Sequence, residues 1–169
     1  PITKNKVTLP YNMPSMDKIK PDSNALENWM KKYKGPYVLS CKLDGVSGMY
    51  MMGDTPKLYT RGDGTVGQDI THFLKYLKLP NHETPYVIRG EFIIPKQNFQ
   101  EKYKDQFANP RNLVSGIINS KTVDKKIQDI HFVAYEIINP QMKISDQMAT
   151  LKHLKFETVQ YQISKKLNS

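Results

Sequence analysis

The apolar positions of this chain keep a helical spacing early and then change to alternation. Leu26, Trp29, Met30 and Tyr33 stand at i, i+3, i+4 and i+7, so residues 22–35 are predicted as the clearest helix. Asn24 and Glu27 have the spacing of a capping box, and Gly35-Pro36 supplies the stop. Beyond that point YVLSCKL and VSGMYMM read as strands joined through a hairpin-like turn at Asp44-Gly45, and KLYTR follows GDTP as a third. DITHFLKYLKLP suits a short helix. PYVIRGEFIIP is a strand whose central Gly90 marks the close approach of a ligand or another backbone. KQNFQEKYKDQF is helical in composition, as is RNLVSGIINSK behind Asn109-Pro110; IHFVAYEII is a strand and DQMATLKHLKF a helix. Hairpins mixed with helices predict an α+β fold with mainly antiparallel sheet, not a doubly wound one. The first twenty residues, with Pro10 and Pro14 among Leu9, Met13 and Met16, suggest an extended segment lying against the domain. No internal repeat or low-complexity linker divides the chain.

Composition narrows the class. A length of 169 residues suits one domain that buries its own core, and 38% hydrophobic residues with ten tyrosines fit a globular chain. The single cysteine, Cys41, excludes an internal disulfide framework and fits a reducing, intracellular setting. The four histidines lack metal-ligand spacing, and one cysteine makes no zinc site. No apolar run approaches a membrane span and PITKNKVTLP lacks a signal-peptide core, so a soluble protein is expected. The formal charge of +9 favours a polyanionic partner, although a solvated Lys-rich surface gives the same figure. Basic residues thicken at 31–34, 102–104, 121–126 and 165–166.

Five stretches can carry chemistry. Lys42 stands at a strand end beside a glycine turn, where an amine becomes a nucleophile once burial and nearby cations favour its deprotonated form. Asp44, two residues on, shares its face in an extended chain and can orient the amine or a metal ion. Taken alone, Lys-x-Asp-Gly also reads as a turn flanked by surface charges. YTRGDGTVGQDIT offers backbone amides and the Arg61 guanidinium for phosphate oxygens, or else is a plain Gly-rich connection; it has neither the Walker nor the dinucleotide-binding spacing. In VIRGEF, Arg89 and Glu91 face one way from an apolar strand, as a structural pair or with Glu91 receiving a sugar hydroxyl or a metal. FANPRN puts Arg111 at a helix start, where amides also attract anions. Tyr135 in FVAYEI can stack a base or fill the core.

In order, KLDGVSGMY, TRGDGTVGQDIT, VIRGEFIIP, FANPRN and FVAYEI resemble the adenylation (nucleotidyltransferase) domain of NAD-dependent DNA ligases, and LPYNMPSMDKI resembles the lead into it. The register runs from about residue 9 to residue 160. The resemblance implies that Lys42 attacks the nucleotide α-phosphate to form lysyl–AMP, with Asp44 in support. It implies that Arg61 and Arg111 stabilise phosphate charge, Glu91 binds ribose or assists Mg²⁺, and Tyr135 stacks on adenine; Ser40, Cys41 and Leu43 line the nucleotide beside Lys42. Asp44 and Glu91 are the implied magnesium ligands. AMP would come from NAD, or from ATP as the near alternative, and pass to the 5′-phosphate of nicked double-stranded DNA for sealing in replication and repair. A noncatalytic nucleic-acid-binding relative is the other class.

Three departures stand out. Ser40 occupies the position of a family glutamate near adenine, and Asn119 that of an expected arginine. The two later lysine motifs, the nicotinamide-reading module and the oligonucleotide-binding and other C-terminal modules are not found. Residues 1–169 are thus expected to be an adenylation-domain fragment: an extended lead-in over 1–20 and a nucleotide-binding core over 21–169 without its last lysine motifs. On its own it is expected to bind nucleotide weakly and not to ligate. The implied location is the cytoplasm of a bacterium or of a viral host.

Overall fold

The computed structural model describes residues 6–20 and 24–167. Its strands are β1 (Lys6–Thr8), β2 (Tyr37–Ser40), β3 (Val46–Met51), β4 (Lys57–Thr60), β5 (Val66–Gln68), β6 (Val87–Ile93), β7 (His131–Asn139), β8 (Glu157–Thr158) and β9 (Tyr161–Ser164). The helices are α1 (Ala25–Lys32), α2 (Leu74–Leu77), α3 (Lys96–Lys102), α4 (Pro110–Ile118) and α5 (Ile144–His153), with 3₁₀ turns at Thr71–Phe73 and Lys125–Asp129. Five strands form the central sheet in the order β4-β3-β6-β7-β8, antiparallel except for the β7–β8 edge. The α+β expectation is met.

One face of this sheet makes the main core. Tyr50, Ile88, Phe92 and Phe132 pack in one cluster with Leu113, Val114 and Ile117 of α4 and Met148 and Leu151 of α5. Each such side chain contributes roughly 1.5–3 kcal/mol on burial, so cohesion comes chiefly from this face. Met49 and Val87 alternate with Tyr50 and Ile88 and turn to the opposite face, where Leu9 and Met13 cover them. The lead-in segment is fixed there by the β1–β5 pairing and by Leu9 and Met13 N–H groups donating to the Thr65 and Gly64 carbonyls, each at 2.8 Å. Between residues 6 and 15 the proline-punctuated start lies against the domain; residues 1–5 lie outside the described residues.

Several elements differ from the pattern-based expectation. The helix over 22–35 is observed at Ala25–Lys32; residues 21–23 lie outside the described residues. Asn24 makes no side-chain capping bond, and no residue of α1 is buried. Trp29 instead packs on the Tyr33 and Tyr37 rings, at centroid distances of 5.2 and 5.5 Å. The two strands flanking Asp44-Gly45 do not pair with each other. β2 pairs with β9, Tyr37 opposite Ser164 and Ser40 opposite Tyr161, while β3 enters the central sheet. Gly45 stands where the chain enters the central sheet: a Cβ there would lie 1.9 Å from the Phe92 carbonyl oxygen, so the backbone runs tightly against β6. Gly90 marks a close approach as predicted, with its missing Cβ 2.6 Å from the Phe132 ring and 2.7 Å from the Val133 carbonyl. The partner there is another backbone.

Candidate functional site

On the second face of the sheet, successive rungs between β3 and β6 run from apolar to charged. The pairs are Met51–Val87, Met49–Arg89 and Ser47–Glu91. At the charged end, Ser47 Oγ donates to Glu91 Oε2 at 3.1 Å. Burial pushes the Glu91 carboxyl above its ordinary range; the Ser47 bond and the charges of Arg89, Arg111 and Lys42 oppose the rise without cancelling it. Lys42 and Arg111, from segments far apart in the chain, are therefore within electrostatic reach of one carboxylate.

Tyr135 reaches the same place through a bulge. Gly90 pairs with Ala134 and Arg89 with Glu136, which leaves Tyr135 as the extra residue and re-aims its side chain. Its ring lies 5.8 Å from the Arg89 guanidinium. Burial raises its phenol pKa, with Arg89 and Ser47 working against the rise and Glu91 with it. Of the two readings of VIRGEF, the direct Arg89–Glu91 pair is not seen: Arg89 bonds the Pro14 carbonyl at 3.0 Å and stands 3.8 Å from Glu136, and Glu91 takes Ser47.

Arg61 adjoins the cluster at the end of β4, where its N–H donates to the Ser47 carbonyl at 2.8 Å. Its guanidinium is turned to the lead-in segment, with Nε donating to the Met13 carbonyl at 2.8 Å and a terminal nitrogen to Ser15 Oγ at 2.7 Å. The amides expected to be open in the following loop are occupied. Thr65 and Val66 N–H donate to Asp63 Oδ1 at 2.8 Å, and Gly64 N–H to the Arg61 carbonyl at 3.0 Å. Those bonds hold the Asp63 carboxyl low. The loop is a self-bonded turn rather than an open anion cradle.

The remaining predicted residues lie at the margins. Ser40, Cys41 and Lys42 are exposed as the chain leaves β2, so the burial expected around Lys42 is not seen. Leu43 and Asp44 line a hollow of about 410 Å³ with Ile93, Phe99, Asn109 and Pro110. Arg111 is exposed in the first turn of α4, which opens as predicted: Asn109 Oδ1 accepts from Asn112 N–H at 2.8 Å and Pro110 takes the first position. Asn119 bonds back to the Ser115 carbonyl at 2.9 Å. A larger hollow of about 750 Å³, beside Lys75, Lys78, His131 and Lys155, includes none of the predicted site residues. Among the described residues no three His, Cys, Asp or Glu side chains cluster, and no helix is long and apolar enough to cross a membrane. Sequence reading missed Ser47, which only strand register sets opposite Glu91, and the carbonyls of the lead-in segment as arginine acceptors.

The Glu91 carboxylate with its raised pKa thus stands with the Ser47 and Tyr135 hydroxyls, the Tyr135 ring and Arg89 on one sheet face, with Lys42 and Arg111 within electrostatic reach at its margin. That chemistry suits a nucleotide, with anionic groups for the cations and sugar hydroxyls for the carboxylate. The family model for the NAD-dependent DNA ligase adenylation domain matches residues 5–169, and the chain belongs to that family. It is 45% identical over 174 residues to the DNA ligase of Acanthamoeba polyphaga mimivirus, covering 98% of this chain and 27% of that protein. It is 38% identical over 175 residues to the putative DNA ligase 205R of Invertebrate iridescent virus 6, covering 92% of this chain and 28% of the relative. The DNA ligase of Pelagibacter ubique is 38% identical over 131 residues, 70% of this chain and 19% of its own length. The chain thus spans 19–28% of the length of these relatives.

Proposed function

We propose that this chain carries the adenylation step of a DNA ligase, with NAD as the AMP donor. The Lys42 amine, once deprotonated, would attack the α-phosphorus of NAD. An N–P bond forms as the bond to the nicotinamide mononucleotide oxygen breaks, leaving lysyl–AMP. The 5′-phosphate of nicked double-stranded DNA would then take the AMP, and the neighbouring 3′-hydroxyl would displace it to join the strand. These later steps belong to the whole protein, acting inside the cell in replication and repair, in the cytoplasm of a bacterium or of a viral host.

The observation that carries this reading is the Ser47–Glu91 bond on the β3–β6 face beside the bulged Tyr135, with the exposed Lys42 and Arg111 within electrostatic reach of Glu91. Arg111, and Arg61 once its guanidinium is released from or shared with the lead-in segment, would meet phosphate charge as preorganised donors. Glu91 would accept a ribose hydroxyl, Tyr135 would stack on adenine, and Ser40, Cys41 and Leu43 would line the nucleotide beside Lys42. Asp44 would support the lysine from the side of the hollow it lines. With no three-ligand cluster among the described residues, Mg²⁺ would be held mainly by phosphate oxygens and water, with Asp44 or Glu91 as a single protein carboxylate, and would neutralise charge there. Family membership favours NAD over ATP. The presence of Lys42, Arg61, Glu91 and Arg111 together favours catalysis over a noncatalytic binding module.

The test is transfer of labelled adenylate to full-length protein from NAD or from ATP, in separate reactions. Label from NAD alone is expected. Label from ATP alone would overturn the donor assignment, and label from neither would overturn the adenylation reading.

A further inference from the structure

Arg89 is only 6% exposed, although its strand neighbours Met49 and Val87 belong to a small apolar cluster with Leu9 and Met13. Packing alone would be served by an apolar side chain at this place, since a buried guanidinium must be compensated by partners. Its partners point to another role. One terminal nitrogen donates to the Pro14 carbonyl at 3.0 Å, the other stands 3.8 Å from Glu136, and the guanidinium lies 5.8 Å from the Tyr135 ring. Its Nε is buried without an acceptor. Arg61, just past the end of β4, fastens Met13 and Ser15, and Arg89 within β6 fastens Pro14 between them, so two guanidiniums hold the three consecutive residues 13–15.

We propose that Arg89 is a positioning residue for adenylation, fixing the lead-in strap at residues 13–15 and the Tyr135 ring as the two walls between which the nucleotide enters. This rests on the adenylation reading above. Arg89 does not touch the reacting atoms. It ties a segment without regular structure to the rigid β6–β7 pair, and a site held this way loses occupancy when the tie is cut, more than it loses chemistry. An arginine is required because the fork reaches the strap carbonyl and the Glu136 side together, which a lysine does in part only.

In full-length protein with NAD as donor, Arg89→Met is expected to raise KM for NAD about tenfold or more, with kcat for adenylation within about threefold of the parent. Arg89→Lys should fall between the two. Hydrogen exchange should speed up at the Met13 amide, which bonds the Gly64 carbonyl, and stay unchanged at core strand amides such as that of Phe92. A lower kcat at unchanged KM, with exchange rising everywhere or nowhere, would mean a purely structural arginine and overturn the proposal. If Arg89→Met does not fold, Arg89→Lys decides by the same split: KM raised severalfold supports positioning, and KM unchanged overturns it. If the parent protein takes no AMP from NAD, the adenylation reading fails, and exchange at Met13 alone decides whether Arg89 holds the strap.

Discussion

At the scale of single residues, Glu91 sets opposite demands on stability and activity. Burial raises its pKa above the ordinary 4.5, so folding favours its protonated form. Its contribution to stability is present below the unfolded pKa and is lost as pH rises through the folded value. Glu91→Gln, neutral throughout, is therefore expected to unfold at a higher temperature than the parent at pH 7, with the gap closing towards pH 4. On the proposed reading the same substitution would remove a charged acceptor for the ribose and is expected to slow adenylation about 10- to 100-fold, as loss of a charged hydrogen bond of roughly 1.5–3 kcal/mol implies. In the parent the acid limb of the rate should lie above pH 4.5, and Glu91→Gln should abolish it. Asp44 is exposed, so Asp44→Ala should leave the melting temperature nearly unchanged while adenylation is lost; a rate within a few-fold of the parent would remove Asp44 from the mechanism. Lys42, Glu91, Arg111 and Tyr135 could be singled out as candidates in the sequence because each sits in a short motif. Ser47 was not, because its importance comes only from standing across from Glu91 in the sheet.

Secondary-structure elements were legible where periodicity is local. The strands β3, β4, β6 and β7 and the helices α4 and α5 follow their patterns. The β2–β9 pairing does not, since it joins residues more than a hundred positions apart and no local signal carries it. The alternation of YVLSCKL fitted a hairpin equally well until Gly45 proved to be pressed against β6. That close packing is testable at Gly90, where Gly90→Ala would push against both a ring and a backbone carbonyl of β7. A loss of about 1–3 kcal/mol in denaturant unfolding is expected. A second link ties α3 to the 3₁₀ turn at Lys125–Asp129: the Tyr103 hydroxyl donates to Asp129, as does Lys102 Nζ at 3.1 Å. Burial, then the Asp129 bond, pushes the Tyr103 phenol up to about 12, and the Tyr103 bond holds the Asp129 carboxyl low. The Asp129 contribution is present above its unfolded pKa and lost as pH falls through the folded one; that of Tyr103 is present below 10 and lost as pH rises through about 12. Tyr103→Phe is expected to cost about 1.5–3 kcal/mol at pH 7 and less near pH 3, measured by urea unfolding.

For the molecule as a whole, the charge of +9 alone did not separate a solvated surface from a nucleic-acid partner. The order of five motifs along the chain and the family it belongs to motivate the proposed nucleic-acid partner. Binding of the full-length protein to nicked duplex should fall on the order of 100-fold between 50 and 200 mM salt if a handful of phosphates are neutralised. A flat salt profile would assign the lysines to solvation instead. The central claim is the identity of the acceptor residue, and peptide mapping by mass spectrometry after incubation of the full-length protein with NAD tests it most directly. A single adenylate adduct on Lys42, missing from Lys42→Ala, is predicted; an adduct on another residue, or one that persists in Lys42→Ala, would contradict it.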